Sequence, residues 1–72
     1  MITLTASERY ALGVVADYQQ RNNGLRVWAG RGGTSERELA ALFEQGLLDR
    51  ILDESGYRWW YGITKAGERA IA

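Results

Sequence analysis

A chain of 72 residues forms one small domain, and at such a length folding removes only about 60% of the surface the unfolded chain exposes, so stability is expected to be marginal. There is no Cys and no His, which excludes disulfides, zinc sites of the usual Cys/His kind, Cys nucleophiles and His-based acid–base catalysis. Nine basic and nine acidic residues cancel to a net charge of zero, and a protein that holds DNA mainly through phosphates usually carries a net basic surface.

The charges are unevenly placed. Residues 1–34 carry Arg9, Arg21, Arg26 and Arg31 against Glu8 and Asp17. Residues 35–54 carry only Arg37 and Arg50 against six acids, and residues 55–72 carry Arg58, Lys65 and Arg69 against Glu68. The hydrophobic fraction of 46%, with three Trp and four Tyr, is enough for an apolar core, because aromatic side chains bury large areas. The opening residues Met1-Ile2-Thr3-Leu4-Thr5 lack a basic segment followed by a long apolar run, so no signal peptide is expected. No stretch approaches the roughly 20 apolar residues of a membrane span. A cytoplasmic protein without a membrane partner is the expectation.

Thr5-Ala6-Ser7-Glu8 has the spacing of a capping box, with Thr5 as N-cap and Glu8 reaching back. Behind it Tyr10, Ala11, Val14, Val15 and Tyr18 form an apolar stripe at helical spacing. Asn22-Asn23-Gly24 supplies residues that tolerate a left-handed backbone. A helix over Ala6–Arg21 is predicted. Leu25-Arg26-Val27-Trp28-Ala29 alternates and carries β-formers, which predicts a short strand. Gly30-Arg31-Gly32-Gly33 then marks a flexible loop or a tight backbone excursion.

Ser35-Glu36-Arg37-Glu38 is a second capping box. Leu39, Leu42 and Phe43 follow as an apolar stripe, and Gly46 stands where a left-handed residue ends a helix, with Leu47 placed to pack on Leu42. A helix over residues 36–45 is predicted. Residues 48–52 and 57–63 read as two strands joined by the turn Asp53-Glu54-Ser55-Gly56. Thr64 is positioned to cap a short last helix, Lys65–Ile71. The predicted fold is α+β, in the order helix, short strand, helix, β-hairpin, short C-terminal helix, in a single domain over residues 1–72. Its core is expected to contain Val14, Val15, Tyr18, Leu39, Leu42, Phe43, Leu47, Trp59 and Ile63.

The run Leu39-Ala40-Ala41-Leu42-Phe43-Glu44-Gln45-Gly46-Leu47-Leu48-Asp49-Arg50 resembles the recognition helix and first wing strand of bacterial winged helix-turn-helix transcription regulators. Ile63-Thr64-Lys65-Ala66-Gly67 resembles the close of their wing. The resemblance covers residues 35–72, with the first helix as a counterpart of theirs. It implies a small winged-helix domain that binds double-stranded DNA as a homodimer. In that family a bracing helix precedes the recognition helix, whereas residues 22–34 offer only a strand and a glycine loop unless a short helix is hidden there.

Several residues are candidates for a partner surface. With Leu39, Leu42 and Phe43 inward, the second helix turns Arg37, Ala41, Glu44 and Gln45 to the opposite face. Arg37 suits guanine, Gln45 adenine and Ala41 a thymine methyl, while Glu36 and Glu38 fit a helix N-terminus on dipole grounds alone. The glycine loop before a helix N-terminus can hold a phosphate, with Arg31 reaching a groove. It lacks the Gly-Lys-Ser/Thr ending of a nucleotide-binding P-loop. The last strand alternates, leaving Trp60 beside Arg58 on the outward face, an interface pair that also suits stacked bases. Leu12 and Ala16, one turn apart and away from the main stripe of the first helix, form a second candidate contact patch. Asp49, Asp53 and Glu54 near the wing turn are a candidate for a weak cation. The candidate DNA-binding set is Arg31, Arg37, Gln45, Arg58 and Lys65, and the candidate protein interface is Leu12, Ala16 and Trp60. No catalytic residue, metal or small-molecule cofactor is expected. The alternative to DNA binding is a protein-interaction module, paired with itself or with another protein.

Overall fold

The computed structural model describes residues 3–72, and of Arg31 the backbone alone. Its elements run α1 (Ala6–Arg21), β1 (Val27–Trp28), a 3₁₀ turn (Arg31–Gly33), α2 (Glu36–Glu44), β2 (Leu48–Leu52), β3 (Trp59–Ile63) and α3 (Lys65–Ile71). The three strands form one antiparallel sheet in the order β1-β3-β2. The predicted α+β order is the observed one, and it is compatible with a small winged-helix-like domain. No helix among the described residues is long and apolar enough to cross a membrane.

Local chemistry accounts for the helix limits. Both capping boxes close: the Thr5 hydroxyl accepts from the Glu8 N–H at 3.0 Å while the Glu8 carboxylate accepts from the Thr5 N–H at 2.9 Å. Ser35 and Glu38 make the same exchange at 3.2 Å each way. At the end of α2, Gly46 takes φ +78°. Its N–H reaches the Phe43 carbonyl, and the Leu47 N–H reaches the Leu42 carbonyl, both at 3.0 Å. That is the Schellman arrangement expected from Gly46 and Leu47, with helical residues ending at Glu44, one earlier than predicted.

The strands are shorter than their apolar runs. β1 keeps two residues of the five predicted, and β3 begins at Trp59 and not at 57. The shortened β1 leaves Leu25 outside the ladder and exposed.

Between β1 and α2 the bracing helix of the resembled family is replaced by the 3₁₀ turn. Gly32 lies so close to α1 that a Cβ there would stand 2.9 Å from a Val14 methyl, and its φ is +64°. The Tyr10 hydroxyl donates to the Gly32 carbonyl at 2.5 Å. The loop is therefore a tight excursion that touches α1 at Gly32, where only a residue without a side chain fits between backbone and helix.

The core lies between the helices and one face of the sheet. Ala11, Leu12 and Val15 of α1 meet Leu39 and Leu42 of α2, the turn residue Leu47, and Val27, Leu48 and Tyr61 from the strands. Phe43, Trp59, Ile63 and Tyr18 are half-buried around it. Fully burying one such Leu or Val stabilises by about 1.5–3 kcal/mol.

The expected contact patch on α1 is corrected by this packing. Leu12 is 0% exposed and at the centre of the core, so it is no contact surface, and Ala16 beside it is half-buried. Tyr10, placed on the inward stripe by periodicity, is 59% exposed. α1 contacts the sheet, α2 and α3 at once, so its buried arc is rotated and broader than a single stripe.

Candidate nucleic-acid interface

Two elements define the candidate interface, the solvent side of α2 and the hairpin that follows it. On α2, Leu39 and Leu42 are buried while Arg37 and Glu44 are exposed, with Ala40 and Ala41 half-buried between them. The first-turn acids turn to the two flanks. The Tyr61 hydroxyl donates to Glu36 at 2.6 Å. Glu38 accepts from the Ser35 backbone and from the Ser7 hydroxyl of α1. The Ser7 bond and then the Ser35 side chain pull the Glu38 carboxyl below its ordinary range, because donors aimed at a carboxylate favour its charged form. Arg37 is the cation of the exposed first turn, beside the equally exposed Glu36, with no ion pair among the described residues.

A chain of contacts fixes the hairpin against α2, from Phe43 near its end to Glu36 at its start. The Arg50 guanidinium carbon lies 4.1 Å from the ring centroid of Phe43 and 4.1 Å from that of Trp59. Such stacking over aromatic faces is favourable, and more so where water is excluded. Arg50 also donates to the Tyr61 hydroxyl at 3.4 Å, and Tyr61 in turn donates its own proton to Glu36. Burial first, then the bond to Glu36, raises the pKa of Tyr61 above its usual 10.0, with Arg50 acting in the opposite sense. Sequence reasoning had no signal for this trio, since its members lie 11 and 25 residues apart.

The five candidate DNA contacts do not assemble on one face. Arg58 lies at the α2 N-terminal end, in a hollow shared with Trp28, Ala29, Glu36, Tyr57 and Trp59. The backbone of Arg31 is in the turn that leads into α2. Lys65 is at the other end, where the Thr64 hydroxyl donates to the Gly46 carbonyl at 2.7 Å. The five residues of β3, at about 3.3 Å each, separate Arg58 from Lys65 by roughly 20 Å. Gln45 is taken out of the set: its amide donates to Glu8 of α1 at 3.0 Å and to the Ala41 carbonyl at 3.4 Å. An amide engaged with a carboxylate of its own domain is not presented to a base edge.

The outer face of the sheet carries the other candidate. Trp60 faces away from the helices, as its alternation with the buried Tyr61 requires, but it is half-buried. Its ring meets that of Trp28 edge-on at 5.0 Å, with the Arg58 guanidinium 5.5 Å from Trp28. Much of what looked like an open anchor is thus covered from within the domain. Asp49 on this face pairs with Arg26 at 2.5 Å across Gly62. Asp53 accepts from the Ser55 hydroxyl at 3.0 Å. The wing acids do not converge on a cation site, and among the described residues no cluster of three or more acids is placed to hold a metal. Compared with family models, with curated proteins and with solved structures, the chain matches none.

Proposed function

We propose that this is a small winged-helix domain that binds double-stranded DNA, with the exposed ridge of α2 against the duplex and the β2–β3 hairpin beside it as the wing. The observation that carries the reading is the fate of the first-turn acids. Glu36 and Glu38 are held by Tyr61, Ser35 and Ser7 on the flanks, so Arg37 and the small Ala40–Ala41 step form the surface that meets a groove. Arg31, whose backbone is in the turn that leads into α2, and Arg58 are the proposed phosphate contacts. Such a protein acts as a transcription regulator in the cytoplasm.

With about three cations engaged, affinity falls with salt at a slope near −3 on logarithmic axes, and binding is in the micromolar range of non-specific contacts. Fluorescence anisotropy of a labelled mixed-sequence duplex over a series of salt concentrations tests this. Arg37→Ala and Arg58→Ala each weaken binding and flatten the slope by about one. Lys65→Ala, at the far end, leaves both within error. Absence of binding at low salt, or equal losses from Lys65→Ala and Arg37→Ala, overturns the reading.

A second reading, a protein-interaction module, has one observation in its favour. Ile51 and Leu52 on β2 are 53% and 50% exposed, on opposite faces of one strand.

A further inference from the structure

We infer that the hollow between the start of α2 and the start of β3 is a binding site for a guanine base whose pairing edge is free, carried either by guanosine monophosphate or by an unpaired stretch of a strand. The hollow has a volume of about 620 Å³ and is lined by Trp28, Ala29, Glu36, Tyr57, Arg58 and Trp59. That volume is within the roughly 300–1,000 Å³ of small-molecule sites. Three of the six lining side chains are aromatic, and aromatic walls take a flat base through its π-face.

The two charges in the hollow select among flat ligands. Glu36 and Arg58 both line it and are both exposed, yet they form no ion pair with each other or with any other described residue. Each is held by a separate neighbour. The Tyr61 hydroxyl donates to Oε1 of Glu36 at 2.6 Å, and Tyr61 is itself 0% exposed and braced by Arg50. Oε2 of Glu36 takes no hydrogen bond from a described residue. The Arg58 guanidinium rests over the Trp28 ring, 5.5 Å from its centroid. The hollow thus contains an acceptor fixed in place and, apart from it, a cation. Such a pair fits a ligand with hydrogen-bond donors at one end and an anion at the other.

A guanine nucleotide is a flat ligand of that kind. Its pairing edge carries N1–H and N2–H side by side, two donors matched to the two oxygens of one carboxylate. Oε2 is open to one of them, and Oε1 keeps a lone pair for the other, because each carboxylate oxygen accepts more than once. Bonds to a charged acceptor are roughly twice as strong as neutral ones. Adenine, cytosine and thymine each place an acceptor next to the donor on that edge, and an acceptor set against a carboxylate is unfavourable.

The remaining side chains complete the site. The base lies along the Trp28 and Trp59 walls. Tyr57 is 95% exposed and its hydroxyl has no hydrogen bond among the described residues, so its ring is free to close over the open side. Arg58 turns from the Trp28 ring to the phosphate, exchanging a cation–ring contact for a charge-assisted hydrogen bond. A duplex hides the pairing edge of every base, so this site goes beyond the double-strand reading.

The test uses the whole chain without duplex DNA, so its outcome is separate from that of the double-strand reading. Guanosine, adenosine and cytidine monophosphates are each titrated to about 5 mM, where millimolar affinity still registers, and followed by NMR of the backbone amides. Guanosine monophosphate shifts the amides of Glu36, Tyr57, Arg58 and Trp59 and binds on the order of tenfold tighter than the other two. Glu36→Gln keeps an oxygen for the Tyr61 hydroxyl and abolishes that preference. Arg58→Ala removes the advantage of guanosine monophosphate over guanosine. Tyr57→Ala, at a side chain too exposed to affect folding, weakens all three nucleotides alike, by roughly fivefold or more. Lys65→Ala, remote from the hollow, changes none of these values. A short strand of thymidines with one central guanosine separates the two sources. Tighter binding than an all-thymidine strand assigns the site to unpaired strands, and equal binding assigns it to the free nucleotide. Equal affinity for guanosine and adenosine monophosphates, shifts that miss the hollow, or a guanine preference that survives Glu36→Gln overturns the inference.

Discussion

Replacing Gly67 by Ala separates what helix propensity predicts from what this packing predicts. Gly67 is in the third position of α3 and buried. On propensity alone, Gly→Ala inside a helix stabilises by up to about 1 kcal/mol. In this fold a Cβ at 67 would stand 2.8 Å from the Ile63 side chain and closer still to the Leu47 carbonyl oxygen. That oxygen belongs to backbone held by the Thr64 N–H at 3.1 Å, so it has little room to retreat. Overpacking of this kind costs about 1–3 kcal/mol, which outweighs the propensity gain and reverses the sign. Gly13 is the internal control, because it is inside α1 and a Cβ added there would meet nothing within 4 Å. In a domain this size 1 kcal/mol moves the melting temperature by about 4–8 °C. Thermal melts followed by circular dichroism should show Gly13→Ala rising by several degrees and Gly67→Ala falling by several. If both rise alike, α3 does not sit on the Leu47 turn and its packing is wrong.

Leu12→Ala and Leu42→Ala should each cost about 2–5 kcal/mol, read as loss of the folded baseline in urea titrations; a near-native midpoint for Leu12→Ala would return that residue to the surface. On acidification, stability should decline. Glu8, held down chiefly by the Thr5 backbone N–H, and Glu38, held down chiefly by the Ser7 hydroxyl, both have folded pKa values below the ordinary 4.5. Their contribution is thus complete above about pH 4.5 and is lost as pH falls through the folded values. Melting temperatures of the wild type and of a Glu8→Gln, Glu38→Gln variant should converge below that pH; a difference that stays constant would show that the two carboxylates do not act by their charge.

The fold is legible in the sequence where a local signal suffices. Thr5, Ser35 and Thr64 each announce a helix start, and Gly46 with Leu47 announces a stop, because caps are satisfied within four residues of where they are written. Leu12 escapes such reasoning because burial on α1 depends on three neighbours that periodicity does not contain. Its flank looks free until α2 and α3 close over it. β1 is overestimated for a related reason: alternation marks residues that could pair, but Ile63, which the register sets opposite Leu25, gives its N–H to the Gln19 side chain. At the candidate site, Arg37 stands out correctly as solvent-facing on α2, whereas Gln45 is lost to Glu8, 37 residues away. The stacking of Arg50 over Phe43 and Trp59 is equally invisible, since a charge in a strand reads as surface until the two rings are placed.

The first turn of α1 carries a further consequence through its double engagement. Helix ends ordinarily fray before anything else opens. Here Ser7 is bound to Glu38 near the start of α2, and Glu8, besides capping its own helix, holds Gln45 just past the end of α2. Unwinding that turn therefore removes one hydrogen bond at each end of α2. With the hairpin contacts and the core left to hold it, the helix proposed to meet DNA would loosen together with the N-terminus of the domain. In hydrogen exchange, the earliest amides of α1 and those of α2 should belong to one cooperative opening unit in place of two.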